Sequence, residues 1–408
     1  MSKLQELIDR LCPDGVEFGK LGDYIDIYTG SQFNKRDMND AGSYPVINGG
    51  VNASGYIESF NEEAKTITIS QGGASAGYVA WQETPFWAGA HCYVVRPSSS
   101  AVLNRFLYFF LKNQEVYLQQ MQHGAGIPAL NRDKVKSLLF PLVPIEVQEE
   151  IVKILDRFAD YAAELQAELQ ARRLQYEYYR NLLLTFNSSA YSCETDDAQK
   201  ISVIARGGHS YEIQWKTMGE IASFKYGFTA KGCDKGDARY IRITDISELG
   251  SLLPYDKKYI ILNDESVEYL LNKDDIVMAR TGATFGKTLL YEEDIPAVYA
   301  SFLIKISFKN NDVLNKYYWH FTKSKHYWKQ ANKFVSKGGQ PQFNANSLSQ
   351  ILIPIPPLEL QEKIVAILDR FETLVNDLSK GLPAEIEAVK ARYEYYRNKL
   401  LTFNTLSA

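Results

Sequence analysis

The chain contains the stretch Pro144-Ile145-Glu146-Val147-Gln148-Glu149-Glu150-Ile151-Val152-Lys153-Ile154-Leu155-Asp156-Arg157-Phe158 and repeats it as Pro357-Leu358-Glu359-Leu360-Gln361-Glu362-Lys363-Ile364-Val365-Ala366-Ile367-Leu368-Asp369-Arg370-Phe371. A second shared block follows each copy, Tyr176–Asn181 in the first and Tyr393–Asn398 in the second. The copies close at Thr185-Phe186 and Thr402-Phe403. Two matching blocks in matching order do not arise by chance, so the chain is an internal duplication.

The repeated blocks are predicted to be long helices. In the first copy, the seam residues from Val147 to Phe186 are spaced alternately four and three apart, with one four-residue skip in phase, and all are apolar except Arg172. This spacing is typical of a coiled-coil seam. The second copy carries the same seam from Leu360 to Phe403. We predict helices at 144–186 and 354–408, each about 60 Å long if continuous. They are expected to pack on each other, and the alternative is a pair of ordinary core helices.

The second helix carries an insertion. The offset between the copies is 213 residues at Pro144 and Pro357, and it grows to 217 at Tyr176 and Tyr393. The four extra residues are close to one helical turn, so the apolar face is kept. Gly381 and Pro383 lie in this insertion. Both residues disfavour a continuous helix, so we predict a kink or a break there.

The region before each helix repeats more faintly. Ser70–Gly77 aligns with Ala279–Gly286, and Gly124–Asn131 aligns with the segment from Gly338 to Asn344. Short β-branched runs between Gly and Asn clusters predict strands and loops. The sequence therefore predicts an α+β protein with mixed α/β domains at 1–143 and 214–353. The polar, Ser-rich segment 187–213 is predicted to be a linker between the two repeats.

Length and composition exclude several classes of protein. A chain of 408 residues is long enough for two or three domains. With 45% hydrophobic and 23% charged residues, large-scale disorder is not expected. No apolar run approaches the roughly 20 residues of a membrane-spanning helix. The first ten residues alternate charge with Leu and Ile, unlike a signal peptide, so a cytoplasmic location is expected.

We predict no catalytic, metal or cofactor site in this chain. Its four cysteines and five histidines lack the clustering of a zinc site. The run Gly282–Thr288 resembles a P-loop, but three residues separate its glycines where the motif has four. Glu17 and Lys20 have E-x-x-K spacing, whereas metal-dependent nucleases use E-x-K. The Asn-Pro-Pro motif of amino-methyltransferases is absent.

Charge is unevenly distributed. The net charge is −4, yet 216–344 carries 19 basic and 15 acidic residues. Between Lys305 and Lys337, eight lysines face a single acid, Asp312, and aromatic residues lie between them. We expect the aromatics to face a core and the lysines to face phosphates, the alternative being a solvated helix face. The segment 16–143 has 10 basic and 11 acidic residues, so it would need a basic partner to bind a polyanion.

Together these features resemble the specificity subunit of type I restriction-modification systems, over essentially the whole chain. The resemblance is most specific in the paired helices, from Gln148-Glu149 to Phe186 and from Gln361-Glu362 to Phe403. It extends to Gly126–Asn131, whose counterpart has Gln340 where the first copy has that glycine. The opening, Leu4–Ile8 followed by Cys12–Val16, is also similar to that family.

The resemblance implies a function for each part. Each variable domain would be a target recognition domain that reads one half of a split sequence in double-stranded DNA. The helices would form an antiparallel coiled coil, related by a pseudo-two-fold repeat, that sets the spacer. Two methyltransferase subunits would bind S-adenosylmethionine, and restriction or translocase subunits would use ATP and Mg. This chain would then be non-catalytic and bind none of these cofactors.

Candidate functional residues fall into two sets. Arg and amide side chains in loops are expected to contact bases, and lysines the DNA backbone. The predicted DNA-binding residues are Lys35, Arg36, Asn48, Asn52, Gln71, Ser75, Arg132, Lys225, Lys231, Arg242, Arg280, Thr281, Lys287, Lys337 and Gln340. The residues predicted to dock the methyltransferase subunits are Gln148, Tyr176, Tyr179, Arg180, Gln361, Tyr393, Tyr396 and Arg397.

Other hypotheses remain open on the sequence alone. The chain could serve a related fused methylase-nuclease system, which the neighbouring gene would distinguish. It could be a coiled-coil adaptor whose two domains bind proteins, which predicts no affinity for DNA. A free-standing enzyme agrees least with the sequence, because no catalytic motif is found.

Overall fold

The computed structural model of the chain describes residues 3–33, 35–39, 41–122, 128–186, 200–204, 210–336, 341–377 and 379–406. The chain forms two compact units. Unit 1 consists of Met1–Leu165 and Ile386–Ala408, and unit 2 of Gln166–Glu385.

Unit 1 is built on three sheets with strand orders β2-β8-β5-β6, β4-β3-β7 and β1-β9. Its strands are β1 (Phe18–Lys20), β2 (Ile25–Thr29), β3 (Tyr44–Ile47), β4 (Tyr56–Ile57), β5 (Thr66–Ser70), β6 (Val79–Gln82), β7 (Trp87–Ala88), β8 (Cys92–Pro97) and β9 (Leu139–Pro141). Its helices are α1 (Lys3–Leu11), α2 (Asn104–Asn113), α3 (Glu115–Gln120), α4 (Arg132–Lys136) and the first part of α5 (Ile145–Thr185).

Unit 2 has sheets with the orders β12-β18-β15-β16, β14-β13-β17 and β10-β11-β19. Its strands are β10 (Lys200–Ile204), β11 (Ser210–Thr217), β12 (Ala222–Tyr226), β13 (Ala238–Ile241), β14 (Tyr259–Ile260), β15 (Ile276–Ala279), β16 (Thr288–Leu290), β17 (Ala297–Tyr299), β18 (Leu303–Phe308) and β19 (Leu352–Ile355). Its helices are α6 (Met218–Ile221), α7 (Asn315–Thr322), α8 (Lys325–Phe334), α9 (Ala345–Ser349) and α10 (Leu358–Asn376); α11 (Leu382–Leu400) begins here and continues into unit 1.

The two units repeat one topology. The four-stranded sheet of unit 1 has the same antiparallel pairings as that of unit 2. The sheets β4-β3-β7 and β14-β13-β17 each contain one parallel pairing, between β3 and β7 and between β13 and β17. The duplication predicted from the helices therefore extends through both variable domains, and the α+β prediction is confirmed.

The core of each unit surrounds the central strand of its larger sheet. Every residue of β5 is buried, as is every residue of β15. In unit 1, Phe106 and Phe110 of α2 pack with Phe140 of β9 beside this sheet. A strand covered on both faces has a continuous run of β-branched and apolar residues, which is why the sequence predicts both strands.

The predicted break in the second long helix is confirmed. α5 is one helix of 41 residues, whereas its counterpart is divided into α10 and α11, of 19 residues each. A Cβ atom on Gly381 would lie 2.4 Å from the carbonyl oxygen of Thr373, so only glycine fits there. Pro383 lies in the first turn of α11, where a missing N–H costs little.

Each unit contains a ring contact between the two long helical segments. In unit 1, Phe158 of α5 stacks on Tyr396 of α11, with ring centroids 5.4 Å apart. In unit 2, Phe371 of α10 stacks on Tyr179 of α5 at 5.6 Å. The beginning of each repeat therefore packs on the end of the other, which is antiparallel pairing. The two contacts are equivalent in the duplication.

The segment predicted as a linker, 187–213, contains strand structure in its described part. β10 pairs with β11, and β11 pairs in turn with β19. Alternation along β11 favours a strand, which the Ser-rich composition obscured. Residues 187–199 and 205–209 lie outside the described residues. The compact units also include parts of the long helices, which the sequence had set apart at 144 and 354.

Candidate nucleic-acid interface

A Gly-rich loop follows the central strand of each unit and is bonded to a second segment. In unit 1, Gly73 N donates to Pro128 O at 2.9 Å, and Leu130 N donates to Gln71 O at 2.8 Å. In unit 2, Gly282 N donates to Pro341 O at 3.0 Å, and Phe343 N donates to Arg280 O at 2.8 Å. We call 71–77 with 128–130 loop pair 1, and 280–286 with 341–343 loop pair 2. Gln71 and Arg280 occupy the same position in them.

Glycines hold these loops close to the neighbouring helices. Gly77 and Gly286 end the two loops with φ of +89° and +78°, a region that favours glycine. A Cβ on Gly77 would lie 2.8 Å from the amide nitrogen of Gln119 in α3. A Cβ on Gly286 would lie 3.0 Å from the ring of Trp328 in α8. Each loop is therefore fixed by its own sheet and helix.

Arg280 lies in loop pair 2 with its guanidinium carbon between two aromatic rings. It is 5.2 Å from the ring centroid of Tyr226 and 5.4 Å from that of Phe302. Both rings are exposed, by 42% and 51%. Arg280 Nε donates to the carbonyl oxygen of Ser301 at 3.2 Å. Across the described ranges no carboxylate pairs with this side chain, so its terminal nitrogens are left for a ligand.

Four other predicted cations are exposed, Arg36 and the three described first. Lys35 lies in a short 3-10 turn, Arg132 starts α4, and Lys231 lies in the loop after β12. Arg132 comes two residues after loop pair 1 and follows Asn131, whose side chain caps α4 at Asp133 N. None of these three forms an ion pair within the part of the chain that the structure describes. Arg36 is exposed beside Lys35.

Three predicted cations are instead engaged by nearby acids. Arg242 Nη2 lies 2.7 Å from the buried Asp245 and 3.1 Å from Asp256, and the hydrogen bond to Asp245 raises the pKa of Arg242. Lys287 pairs with Glu248, and Lys225 lies 3.4 Å from Glu268. Each cation lies within ion-pair distance of an acid in the folded chain, even where the two residues are far apart in sequence. These cations are therefore not free to contact phosphates.

The polar residues predicted to contact bases also include both engaged and exposed side chains. Thr281 is buried and does not face a ligand. Asn48 is partly exposed, and its Oδ1 accepts a hydrogen bond from His91 N at 3.2 Å. Asn52 is exposed, and Gln71 and Ser75 are partly exposed. Lys337 and Gln340 lie outside the described residues.

The lysine stripe after Lys305 is largely neutralised within unit 2. Lys305 pairs with Asp275. Lys316 lies 3.1 Å from Glu292 and 3.2 Å from Asp369, and Lys323 lies 3.4 Å from Glu372. The prediction that the lysines face phosphates is wrong for these three: Asp275 holds Lys305, and α7 packs on the acidic face of α10, which holds Lys316 and Lys323. Lys329 and Lys333 have no ion pair among the described residues.

The aromatic residues between these lysines belong to the core, as predicted: Tyr317, Tyr318, Phe321 and Tyr327 are fully buried.

Burial changes the ionisation of two groups at this contact. Burial lowers the pKa of Lys323 to about 8, against the opposing attraction of Glu372. Burial also lowers the pKa of His320, which bonds through Nε2 to Asp369 at 2.9 Å. His320 Nδ1 is buried without a hydrogen-bond partner. A neutral ring with its proton on Nε2 fits this arrangement, since a buried bare nitrogen costs less than a buried unpaired N–H⁺.

Two residues predicted to dock a partner subunit are internal. Gln148 is 1% exposed; it accepts from Leu103 N at 2.9 Å and donates to Ala101 O and Val143 O. Gln361 is fully buried and makes the same three kinds of bond. These glutamines cannot contact another subunit. They join each long helix to the recognition domain before it.

The tyrosines predicted to dock partners are partly internal and partly exposed. Tyr176 is 5% exposed, and its hydroxyl donates to Glu372; burial first, and then this carboxylate, raises the pKa of that hydroxyl. Arg180 lies 5.0 Å from the Tyr176 ring, and Arg397 lies 5.3 Å from the partly buried Tyr393 ring. Tyr179 and Tyr396 are 37% and 39% exposed.

The sequence missed two kinds of exposed aromatic residue. Tyr178 and Tyr395, at equivalent positions, are 62% and 60% exposed, and the repeated Tyr-Glu-Tyr-Tyr block was the signal for them. Tyr226 and Phe302, which flank Arg280, had no signal. They come from different strand ends that only the sheet brings together.

The geometry defines a class of protein: a duplicated recognition scaffold with one loop pair on each unit. No helix among the described residues is long and apolar enough to cross a membrane, and no cluster of ligands suited to a metal is found in the same ranges. Residues 13–172 and 212–388 match the family model described as the type I restriction modification DNA specificity domain. The chain belongs to this family, and its role is DNA sequence recognition.

Several known proteins resemble the chain over nearly its full length. A putative type I restriction enzyme specificity subunit of Haemophilus influenzae is 32% identical over 383 residues, 91% of each protein. The specificity subunit of an Escherichia coli type I restriction enzyme is 26% identical over 430 residues, covering 99% of this chain and 97% of that one.

Two solved structures share the fold. The crystal structure of a type I restriction-modification S subunit from M. genitalium has a TM-score of 0.60 and 19% identity, covering 95% of this chain and 96% of that one. A chain from a structure of a type I R-M system has a TM-score of 0.56 and 15% identity, covering 95% and 98%. At these identities the likeness concerns the fold.

Proposed function

We propose that the chain is the non-catalytic specificity subunit of a multisubunit adenine methyltransferase and endonuclease, and that each unit reads one half of a bipartite DNA target. The observation that carries this is the equivalence of the two loop pairs. Their backbone bonds are the same, while their side chains differ, Gln71 in one and Arg280 in the other. One frame with two sets of side chains is what reading two different half-sites requires.

Partner subunits are part of the proposal. Unit 1 is close to neutral in its recognition domain, and several lysines of unit 2 are paired internally. Affinity for DNA depends mainly on cations that contact phosphates. Two methyltransferase subunits would supply much of this charge, together with S-adenosylmethionine. Restriction or translocase subunits would supply ATP and Mg, and the assembly would act in the cytoplasm.

The equivalent helix surfaces are the proposed docking sites for the methyltransferases. Tyr178 and Tyr179 form an edge-to-face pair at 5.4 Å, and Tyr395 and Tyr396 do so at 5.3 Å. Exposed paired aromatics are enriched where proteins associate. Two copies of one surface fit two copies of one partner.

The test is to co-express the chain with any methyltransferase-like protein that a neighbouring gene encodes, to purify the complex, and to sequence the genomic DNA by a single-molecule method. We expect a stable complex and methyl-adenine at one split motif, and no such motif when this chain is omitted. Neither a complex nor a motif would overturn the proposal and favour a protein-binding adaptor. A partner that carries both methylase and nuclease domains would identify the related fused system.

A further inference from the structure

We propose that Arg280 selects a guanine in the half-site read by unit 2. This inference rests on the proposed function, because it assumes that loop pair 2 approaches DNA. It goes further by naming the base and the side chain that chooses it.

The first step is the fixed position of the guanidinium. Nε is held by Ser301 O, and the exposed rings of Tyr226 and Phe302 flank the group. Among the described residues these contacts leave the N–H groups of both terminal nitrogens without an acceptor. Because the side chain is already ordered, it loses little conformational entropy when it binds. Two parallel donors match O6 and N7 of guanine in the major groove.

The second step is the absence of an acidic partner. The recognition domain 214–353 contains three arginines, Arg239, Arg242 and Arg280. Arg239 is 3.3 Å from Glu293, and Arg242 is 2.7 Å from Asp245. Within the described residues Arg280 alone of the three has no carboxylate partner. A cation held between rings but left unpaired is arranged for an external acceptor.

The third step is the contrast with unit 1. Strand registers place Thr29 where unit 2 has Tyr226, and His91 where it has Phe302. Gln71 takes the place of Arg280. The phenol and phenyl rings of Tyr226 and Phe302 therefore occur with the arginine, whereas unit 1 has a threonine and an imidazole at these positions. This indicates that Tyr226 and Phe302 position Arg280.

The experiment compares variants of the full chain, each co-expressed with the methyltransferase partner, by single-molecule sequencing of adenine methylation. For Arg280→Gln we expect one guanine of a single half-site to become degenerate, with discrimination at that base reduced about 10- to 100-fold. The other half-site and the spacer should not change. Phe302→Ala should relax the same base to a smaller extent. Lys329→Gln, which removes an exposed cation of the same unit, should leave the motif intact.

Three outcomes would overturn the inference. An unchanged motif in Arg280→Gln would show that Arg280 reads no base. Equal loss of methylation at every site, with all positions of the motif kept, would make it a phosphate contact. If Arg280→Gln abolishes methylation, an unchanged motif in Phe302→Ala would also count against it. Failure of the proposed function is distinguishable, because the wild-type complex would then give no motif.

Discussion

The buried glutamines Gln148 and Gln361 join a helix to a domain in each unit by the same bonds. Each accepts from the amide at the N-cap position of α2 or α7, Leu103 or Leu314, and donates to two carbonyl oxygens. A leucine would nearly fill the space but satisfy none of these backbone groups. The geometry explains why this residue occurs in both repeats.

Gln148→Leu is predicted to destabilise unit 1 by about 2–4 kcal/mol, because buried backbone donors and acceptors lose their partners. Urea unfolding of the full chain measures the change in the free energy of unfolding, and hydrogen exchange of the α2 amides assigns it to unit 1. Gln170→Leu is the matched control, since Gln170 is exposed on the same helix and should change stability by less than about 0.5 kcal/mol. Equal effects of the two substitutions would refute the bonding role.

The stability of unit 2 is predicted to depend on pH through the ionisation of His320. Burial lowers the pKa of His320 in the folded state, so the unfolded state binds more protons below its ordinary value near 6.5. Stability should therefore fall as the pH drops from 7 through 6.5. Asp369 also has a lowered pKa, but its contribution is lost only near and below its ordinary value of 3.8. Lys316 and Lys323 stay charged in this range, and the lowered pKa of Glu372 keeps it ionised.

The measurement is hydrogen exchange of α7 amides between pH 7 and pH 5, corrected for intrinsic exchange rates. His320→Gln should keep a bond to Asp369 and flatten the loss of protection, whereas His91→Gln, at an exposed position, should behave as wild type. The same slope in His320→Gln and wild type would exclude His320 as the titrating group.

Among the elements, the break between α10 and α11 depends on a close backbone approach. Gly381 N donates to Asp377 O at 3.0 Å, and a Cβ on Gly381 would lie 2.4 Å from Thr373 O and 2.7 Å from Leu374 O. Gly381→Ala is predicted to destabilise unit 2 by about 1–3 kcal/mol, because the added methyl group must displace backbone. Chemical denaturation measures the change. Gly72→Ala is the control, since its Cβ would meet nothing closer than 3.7 Å.

The helices, strands and loops also differ in how far the sequence could predict them. The helices, their break and the central strands follow from periodicity and from Gly and Pro, which are local signals. The lysine stripe was misinterpreted because Asp369 and Glu372 lie far from it in sequence. The Arg280 loop was predicted as DNA-facing, but not its flanking rings, since Tyr226 and Phe302 meet only through pairing of β12 with β18.

For the whole molecule, unit 1 is discontinuous in sequence. Leu400, Leu401, Phe403 and Tyr393 pack into a core built by residues before 166. Val16 N donates to Asn404 O at 2.9 Å. Unit 2 is a single stretch, Gln166–Glu385.

Removal of residues 386–408 is therefore predicted to expose the unit 1 core and leave unit 2 folded. Hydrogen exchange should show protection lost in α2 and β5 but kept in β15 and β18. The matched control is a shorter truncation that removes Leu406–Ala408 alone, which leaves Leu401 and Phe403 in place and should have little effect. Loss of protection in both units would show that they do not fold separately.

The same discontinuity sets an order of events on the ribosome. At about 5–20 residues per second, the 220 residues between Leu165 and Ile386 delay completion of unit 1 by roughly 10–45 s. Throughout that interval the apolar face awaiting Leu401 and Phe403 is exposed, while unit 2 emerges as a continuous stretch. The domain made first is thus completed last, and chaperones should recognise the nascent chain through unit 1.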